Sequence, residues 1–466
     1  VNAQSKKVGR KSPQQWNIVV FIADDLGVKD IEPYGNKVVR TPNLSRLAGE
    51  SLLFRQAFAS SPTCAPSRSS ILTGLMPYRH GGHGNHAAVR EQTRSIVHYM
   101  QPLNYRVAIA GKLHVGPEEA FPLERVEGTN LPEPGFEKNP GLHYDLEMGP
   151  VDKWLAAQTG KQPFCLFVAD HSPHVIWPEK PEYDPAQVDI PAKHIDTRET
   201  RVARSRYYTD ISKMDRNLGL LLQSLERHGL SENTIVLFTA DQGPQWPFAK
   251  WSLYDDGVQV PLLVRWPGVV KKGTSTDALV SLTDLVPTFV ELAGGKAPEE
   301  IDGRSFLPVL KGGRDQHREE VFATHTGDGM MNRSPARMLR NQRFKYILNI
   351  APDIKYTTHM DRATDHDGGR EYWPSWLQAS FTDPGAANIL WRYHNRPPEE
   401  LYDLEKDPHE TRNLAVDPAY AKELNEFRTK MAEWRRTQGD DATGPEEIRP
   451  APAGNKGKKP LVPYVF

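Results

Sequence analysis

Two adjacent aspartates, Asp24 and Asp25, end the apolar run WNIVVFIADD (residues 16–25), and a third, Asp241, ends NTIVLFTADQ (residues 233–242). Carboxylates crowded at the ends of buried segments repel one another unless a cation or a proton compensates them. Oxygen ligands of this kind suit Ca2+, with Mg2+ as the alternative, rather than zinc. Gln242 adds a neutral amide oxygen; ordinary helix capping and loop solvation is the competing reading of these aspartates. Lys112 and His114 in GKLHVG, His174 in HSPH and Lys250 in AKWSLY supply cations and proton donors. Such a ring suits a tetrahedral anion held on a metal. Cys64 lies in the turn-rich stretch SSPTCAPSRSSILTGL (residues 60–75). Pro66 marks a helix start, so Cys64 is expected just before a helix N-terminus, where free N–H groups favour anions. As a thiol it could be a nucleophile of lowered pKa, although no cysteine-hydrolase signature surrounds it.

The elements that must carry these residues alternate. WNIVVFIA, YRVAIA, FCLFVA and TIVLFTA are short β-branched runs, each followed by a polar cluster, and read as buried strands of a mainly parallel sheet. TPNLSRLAGESLLF, with Thr41 as N-cap, and YYTDISKMDRNLGLLLQSLERHGL read as helices. The pattern predicts an α/β fold in which all four polar clusters lie beyond the carboxyl ends of strands, where such folds bind ligands. At 466 residues the chain exceeds a single core. The texture divides it into a leader remnant or linker (1–15), a catalytic domain (16–335), a smaller α+β domain (336–445) and an extended tail (446–466).

The formal net charge of −1 argues against a general nucleic-acid binder, and no run approaches the ~18 apolar residues of a membrane span. Val-Asn-Ala before Gln4 reads as a cleavage remnant and hence export, periplasmic or secreted, or lysosomal in a eukaryote; a trimmed chain is the alternative. Cys165 is expected to be a buried, inert thiol. In RHGGHGNHAAVR (residues 79–90), His80, His83 and His86 are expected as solvated loop histidines, with His86 touching substrate at the pocket rim; a zinc site is the competing reading. HMDRATDHDGGREYW (residues 359–373) is expected as a solvated or substrate-lining loop, against a second acidic metal site.

Cys64-Ala65-Pro66-Ser67-Arg68, continuing to Leu72-Thr73-Gly74, resembles the C-x-P-S-R…L-T-G signature of the type I sulfatases. ADD at 23–25, TPNLSRLA, GKLH, PH at 173–174, ADQG and DLEKDPHETRNL follow in the family's order, so the likeness spans almost the whole chain. Within the family, GKLHVGPEEAFP, LLFRQAF, QRFKYILNI and ELYDLEKDPHETRNLAVDP are similar to the sulfamidase branch, the N-sulfoglucosamine sulfohydrolases. The resemblance implies an alkaline-phosphatase-like fold and a Cys64 oxidised to formylglycine by a maturation enzyme. Hydrated to a gem-diol, that group would attack sulfur, and its second hydroxyl would expel sulfate from the covalent intermediate.

Carried over residue by residue, Asp24, Asp25, Asp241, Gln242 and the group derived from Cys64 would hold the metal. Arg68 and Lys112 would hold the formylglycine, and Lys112 and Lys250 would counter the sulfate charge. His114 would handle the gem-diol proton and His174 would be the general acid, with His86, Lys112, His174 and Lys250 facing substrate. Two departures stand out: the family usually has Asp-Asn where this chain has Asp241-Gln242, and the sulfamidases have arginine at the position of Lys250. HTGDGMMNRSP (residues 325–335), expected to shape the pocket, also diverges. The implied substrate is a sulfated oligo- or polysaccharide, first the N-sulfate of glucosamine in heparan-type glycans. An O-sulfatase acting on another polysaccharide, such as an algal one, is the alternative. A phosphatase or phosphonate hydrolase, or a non-catalytic saccharide binder with Cys64 unconverted, stands behind these, and the oligomeric state is left open.

Overall fold

The computed structural model describes residues 15–446 apart from 139, 142, 159, 161 and 364–368. The leader at 1–14, the tail from 447 onward and the middle of the 359–373 segment therefore lie outside the described residues. Fifteen strands are described: β1 (Asn17–Ala23), β2 (Leu52–Phe58), β3 (Arg106–Gly111), β4 (Glu124–Arg125), β5 (Asn130–Pro132), β6 (Tyr144–Leu146), β7 (Phe164–Ala169), β8 (Thr234–Ala240), β9 (Gln259–Arg265), β10 (Thr274–Thr276), β11 (Val280–Ser281), β12 (Val321–His325), β13 (Ala336–Arg340), β14 (Phe344–Asn349) and β15 (Glu399–Asp403).

Nine of them form one sheet in the order β10-β2-β9-β8-β1-β7-β3-β4, with β11 alongside β2. At its centre β8, β1, β7 and β3 run parallel. Every residue of β1, β7 and β8 is buried, which is why these strands read as unbroken apolar runs rather than alternating ones. Parallel neighbours bring the residues after β1, β3, β7 and β8 to one edge of the sheet, and this fixes where the site lies. β9 runs antiparallel between β8 and β2.

One expected helix is shorter than its sequence pattern. The helix beginning at Pro42 stops at Gly49, and Leu52–Phe58 is strand β2. The LLF that extends the helical periodicity instead hydrogen-bonds to β9, where tertiary pairing overrides local pattern. Thr41 does stand at the N-cap, but its side chain makes no cap bond and meets Glu32 instead. The long helix Arg198–Arg227 starts at Thr197, whose hydroxyl accepts the Thr200 N–H at 3.1 Å.

β12, β13, β14 and β15 form a second, antiparallel sheet. Helix Ala421–Gln438 covers it, packing Leu424, Phe427 and Met431 against Leu339, Tyr346 and Leu401. This sheet begins at Val321, so a division at residue 335 falls between β12 and β13. Lys345 of β14, fully buried, reaches toward the larger sheet through Asp255, just before β9, at 2.5 Å, and also pairs with Glu410, after β15, at 2.8 Å. Among the described residues no helix is long and apolar enough to cross a membrane.

Candidate active site at the strand ends

Asp24 and Asp25 follow β1, Lys112 and His114 follow β3, His174 follows β7, and Asp241, Gln242 and Lys250 follow β8. Cys64 meets them from the helix Cys64–Thr73. It is the first residue of that helix, not the residue before it, and Pro66 is the third; the missing proline N–H still falls in the first turn, where no intrahelical partner exists. The whole helix is buried. Ser67 ties it to the end of β8 by donating to the Asp241 carbonyl at 2.5 Å.

The sulfur of Cys64 lies 3.1 Å from Gln242 Nε2 and 3.8 Å from both Asp24 Oδ1 and Lys112 Nζ. Asp24 is ion-paired to Lys112, and Arg68 stands 3.5 Å away. Arg68 Nε donates to Asp241 Oδ2 at 2.8 Å, and its Nη1 donates to the Lys112 carbonyl at 3.0 Å. Asp25 receives Gln242 Nε2 and Lys250 Nζ, both at 2.5 Å, with His174 Nε2 at 3.7 Å. Three carboxylates, three cations and the cysteine thus form one buried cluster.

Asp24, Cys64 and Asp241 bring their ligand atoms within 4.8 Å of one another. Gln242 Oε1 is buried with no partner among the described residues. An orphaned amide oxygen beside three carboxylates is the donor set of a hard divalent cation, so these residues fit the expected metal.

Charge in the cluster is distributed unequally. Burial pushes Asp24 up, but Lys112 and Arg68 outweigh it and hold the carboxyl well below its usual range. Burial wins at Asp25, which is raised, and at Asp241, raised to about 8 despite Arg68. Burial also pushes the Cys64 thiol up to about 12, against the pull of Lys112 and Lys250. Burial thus works against a thiolate at Cys64 and against the reading of it as a lowered-pKa nucleophile. His114 and His174 are both pushed far below the ordinary histidine value by burial, reinforced by His86 for the former and Lys250 for the latter.

The backbone at this edge is strained. Of seven non-glycine residues with positive φ among those described, Asp25, His86, His114 and Trp251 line the site. Each conformation costs about 1–3 kcal/mol and persists where the surrounding packing over-determines it.

The loop histidines depart from expectation. His80 is fully buried and bonds Ser70 Oγ at 3.1 Å, while His83 stacks on Tyr78. Only His86 turns to the site, its Nδ1 2.9 Å from His114 Nε2. No metal-capable group among the described residues includes the three histidines. Cys165 is fully buried mid-strand, as expected. Sequence reasoning missed Asn85, Gln245, Trp251 and Asp328 as single residues. Gln245 Oε1 accepts Lys250 at 3.1 Å, and buried Asp328 Oδ2 accepts from Asn85 at 2.8 Å and Trp251 at 2.7 Å. Each sits in a loop without periodicity; the signals were of neighbourhood only, the histidines around Asn85, the AKWSLY stretch that holds Trp251 and the expected pocket segment 325–335 that holds Asp328.

The sequence pattern of a family described as Sulfatase matches residues 16–295, and one described as N-sulphoglucosamine sulphohydrolase, C-terminal, matches residues 244–371. An ulvan-active sulfatase of Formosa agariphila is 32% identical over 465 residues, covering 95% of this chain and 85% of its own. The N-sulphoglucosamine sulphohydrolase of Homo sapiens is 30% identical over 469 residues, covering 90% of this chain and 89% of its own. A protein solved in complex with its substrate D-glucosamine-2-N,6-O-disulfate shares the fold with a TM-score of 0.66, at 20% identity over 92% of this chain and 99% of the other.

Proposed function

The chain belongs to the sulfatase family, and from that premise we propose that it removes the N-sulfate from a terminal glucosamine of a heparan-type saccharide. The alkaline-phosphatase-like fold implied by the sequence resemblance is the fold found, and the enzyme is a hydrolase of sulfate esters or sulfamates on saccharides. What supports the N-sulfate reading is the second family match. Residues 244–371 include Lys250, which pairs with Asp25 beside Cys64, and Trp251 and His359, which meet at Asp328.

Asp24, Asp25, Asp241 and Gln242 would hold Ca2+, or Mg2+, with the Cys64-derived group beside them. When bound, such a cation withdraws electron density from a sulfate oxygen and makes sulfur easier to attack. Conversion of Cys64 to formylglycine, followed by hydration of its aldehyde, would supply two geminal hydroxyls at the first turn of the helix. One would attack sulfur as the bond from sulfur to the saccharide breaks, and loss of the other's proton would re-form the aldehyde as its C–O bond to sulfate breaks. Arg68 and Lys112 hold that position: Arg68 by its two fixed bonds to Asp241 and the Lys112 carbonyl, Lys112 by its contact with the residue-64 side chain. Lys112 and Lys250 present ammonium groups to an incoming sulfate, which would take over part of the charge pairing now given by Asp24 and Asp25. His114 exchanges a proton with the group at residue 64. His174 faces the opposite carboxylate and supplies a proton to the departing atom. A bound sulfate beside His174 would raise its proton affinity from the low value that burial imposes.

A second reading, O-desulfation of another polysaccharide, is favoured by the ulvan-active relative, which covers 95% of the chain. The deciding experiment uses protein co-produced with a formylglycine-generating enzyme and shown by intact mass to be converted. Sulfate release is measured from an oligosaccharide ending in N-sulfoglucosamine and from its N-acetylated, O-sulfated counterpart. Release from the first alone supports the proposal; release from the second alone replaces it with the O-sulfatase reading.

A further inference from the structure

The first N–H groups of the Cys64 helix receive no cap from Thr63. One of them, Ala65 N–H, donates instead to Asn85 Oδ1 at 3.3 Å. That bond orients the Asn85 amide, with its oxygen toward the helix and its NH2 away from it. One hydrogen of the NH2 goes to Asp328 Oδ2 at 2.8 Å, and the other faces His86 Nε2 at 3.2 Å. An imidazole nitrogen that faces an N–H donor must present its lone pair, so the ring proton of neutral His86 is on Nδ1. His86 Nδ1 lies 2.9 Å from His114 Nε2, which must then accept in turn. The proton of His114 is left on Nδ1, an atom buried with no partner among the described residues.

From this sequence of contacts we infer that Asn85 is a positioning residue that fixes the tautomers of His86 and His114 and leaves the His114 proton on Nδ1, the nitrogen that His86 does not engage. The inference rests on the reading of His114 as the residue that exchanges a proton at position 64. It adds the direction: His114 starts the cycle able to donate from Nδ1, and it cannot accept there until that proton has left.

The alternative wiring would have His86 Nε2–H point to Asp328 Oδ1. That distance is 3.6 Å, beyond a hydrogen bond and longer than the contact with Asn85. Asp328 has its Oδ2 engaged by Asn85 and Trp251, so its carboxylate anchors the amide and does not reach the ring. Asn85 thus joins the N-terminus of the cysteine helix to the histidine pair through one side chain, and its two ends cannot be exchanged without breaking both contacts.

The test is 15N-histidine NMR on the full chain at pH 7.5, in which two-bond ring couplings report which nitrogen carries the proton. His86→Gln and His114→Gln spectra assign the signals. The wild type is expected to show both rings in the Nδ1–H form. Asn85→Ala removes the donor, so both rings are expected to switch to Nε2–H as His86 turns to Asp328. Asn85→Asp keeps an acceptor for Ala65 N–H while removing the donor, and should switch them too, which separates tautomer control from loss of the helix cap. Loss of an outer partner of this kind is expected to lower kcat about 10–100-fold with little change in KM. Nε2–H or doubly protonated rings in the wild type would overturn the inference, as would unchanged tautomers in both variants. Rings that switch while kcat stays constant would leave the Asn85 assignment standing and refute the role of His114 on which it builds.

Discussion

Replacing Gln242 by leucine separates two jobs that the structure gives to one amide. Its Nε2 donates to Asp25 at 2.5 Å, while its Oε1 is buried without a partner among the described residues. Losing a hydrogen bond to a charged group costs roughly 1.5–3 kcal/mol, and removing an orphaned oxygen returns roughly 1–3 kcal/mol. The two nearly cancel, so stability in EDTA should change by no more than about 1 kcal/mol. The cation arm does not cancel. A divalent ion present at 100 times its Kd stabilises the wild type by about 2.7 kcal/mol. If loss of the amide oxygen weakens binding by ~100-fold, the upper end for loss of a supporting partner, the same concentration equals the Kd and stabilises by only about 0.4 kcal/mol. The assay is thermal and urea unfolding of both proteins in EDTA and across a Ca2+ and a Mg2+ titration. A Gln242→Leu protein that keeps the full cation-dependent shift at the same midpoint refutes the amide as a ligand. A wild type that neither ion stabilises refutes the cation site altogether.

Arg68→Ala removes the donor to buried Asp241 and one of the two cations beside buried Asp24, and should lower stability by about 3–5 kcal/mol in urea unfolding. Arg68→Lys should recover little, because one ammonium cannot serve both Asp241 Oδ2 and the Lys112 carbonyl from a fixed fork. Asp284, buried beneath Arg318 and His317, is pushed up by burial but pulled well below the usual carboxylate range by Arg318. A depressed folded pKa stabilises fully above the unfolded value, near ~3.9, and the stabilisation is lost as pH falls through the folded value. Asp284→Asn should therefore destabilise at pH 7 and flatten the acid limb of a stability–pH curve below about pH 4. His174→Gln should lower kcat on an O-sulfated substrate by about 10²–10⁴-fold. The effect on a sulfamate should be much smaller, because an amine leaving group takes its proton readily; equal losses on both would remove His174 as the acid.

The four strands that carry the site were legible because a fully buried parallel strand writes itself as an apolar run, and the carboxylates after β1 and β8 break those runs abruptly. The cysteine helix was legible from its motif and from Pro66. β2 was not, since LLF continues a helical period and only its pairing with β9, more than 200 residues away, makes it a strand. Asp328 and Asn85 were illegible for a related reason: their partners are 243 residues apart, and nothing local to either loop encodes the contact. His80 reads as a loop histidine, yet it is fully buried against Ser70 of the cysteine helix, because it ends a short helix, Pro77–His80, that packs on that helix.

The depth of Cys64 has a consequence for how active protein comes to exist. Its side chain is 2% exposed, within a helix buried along its whole length and locked to the end of β8 by Ser67. If Cys64 is converted as proposed, an oxidising enzyme would reach this sulfur only while the helix is unmade. Conversion and folding are then competitors in time, and a chain that closes first is sealed with its thiol intact. Two populations would result, alike in fold and different in chemistry, and the specific activity of a preparation would record the order of events in each molecule's past rather than the quality of its structure.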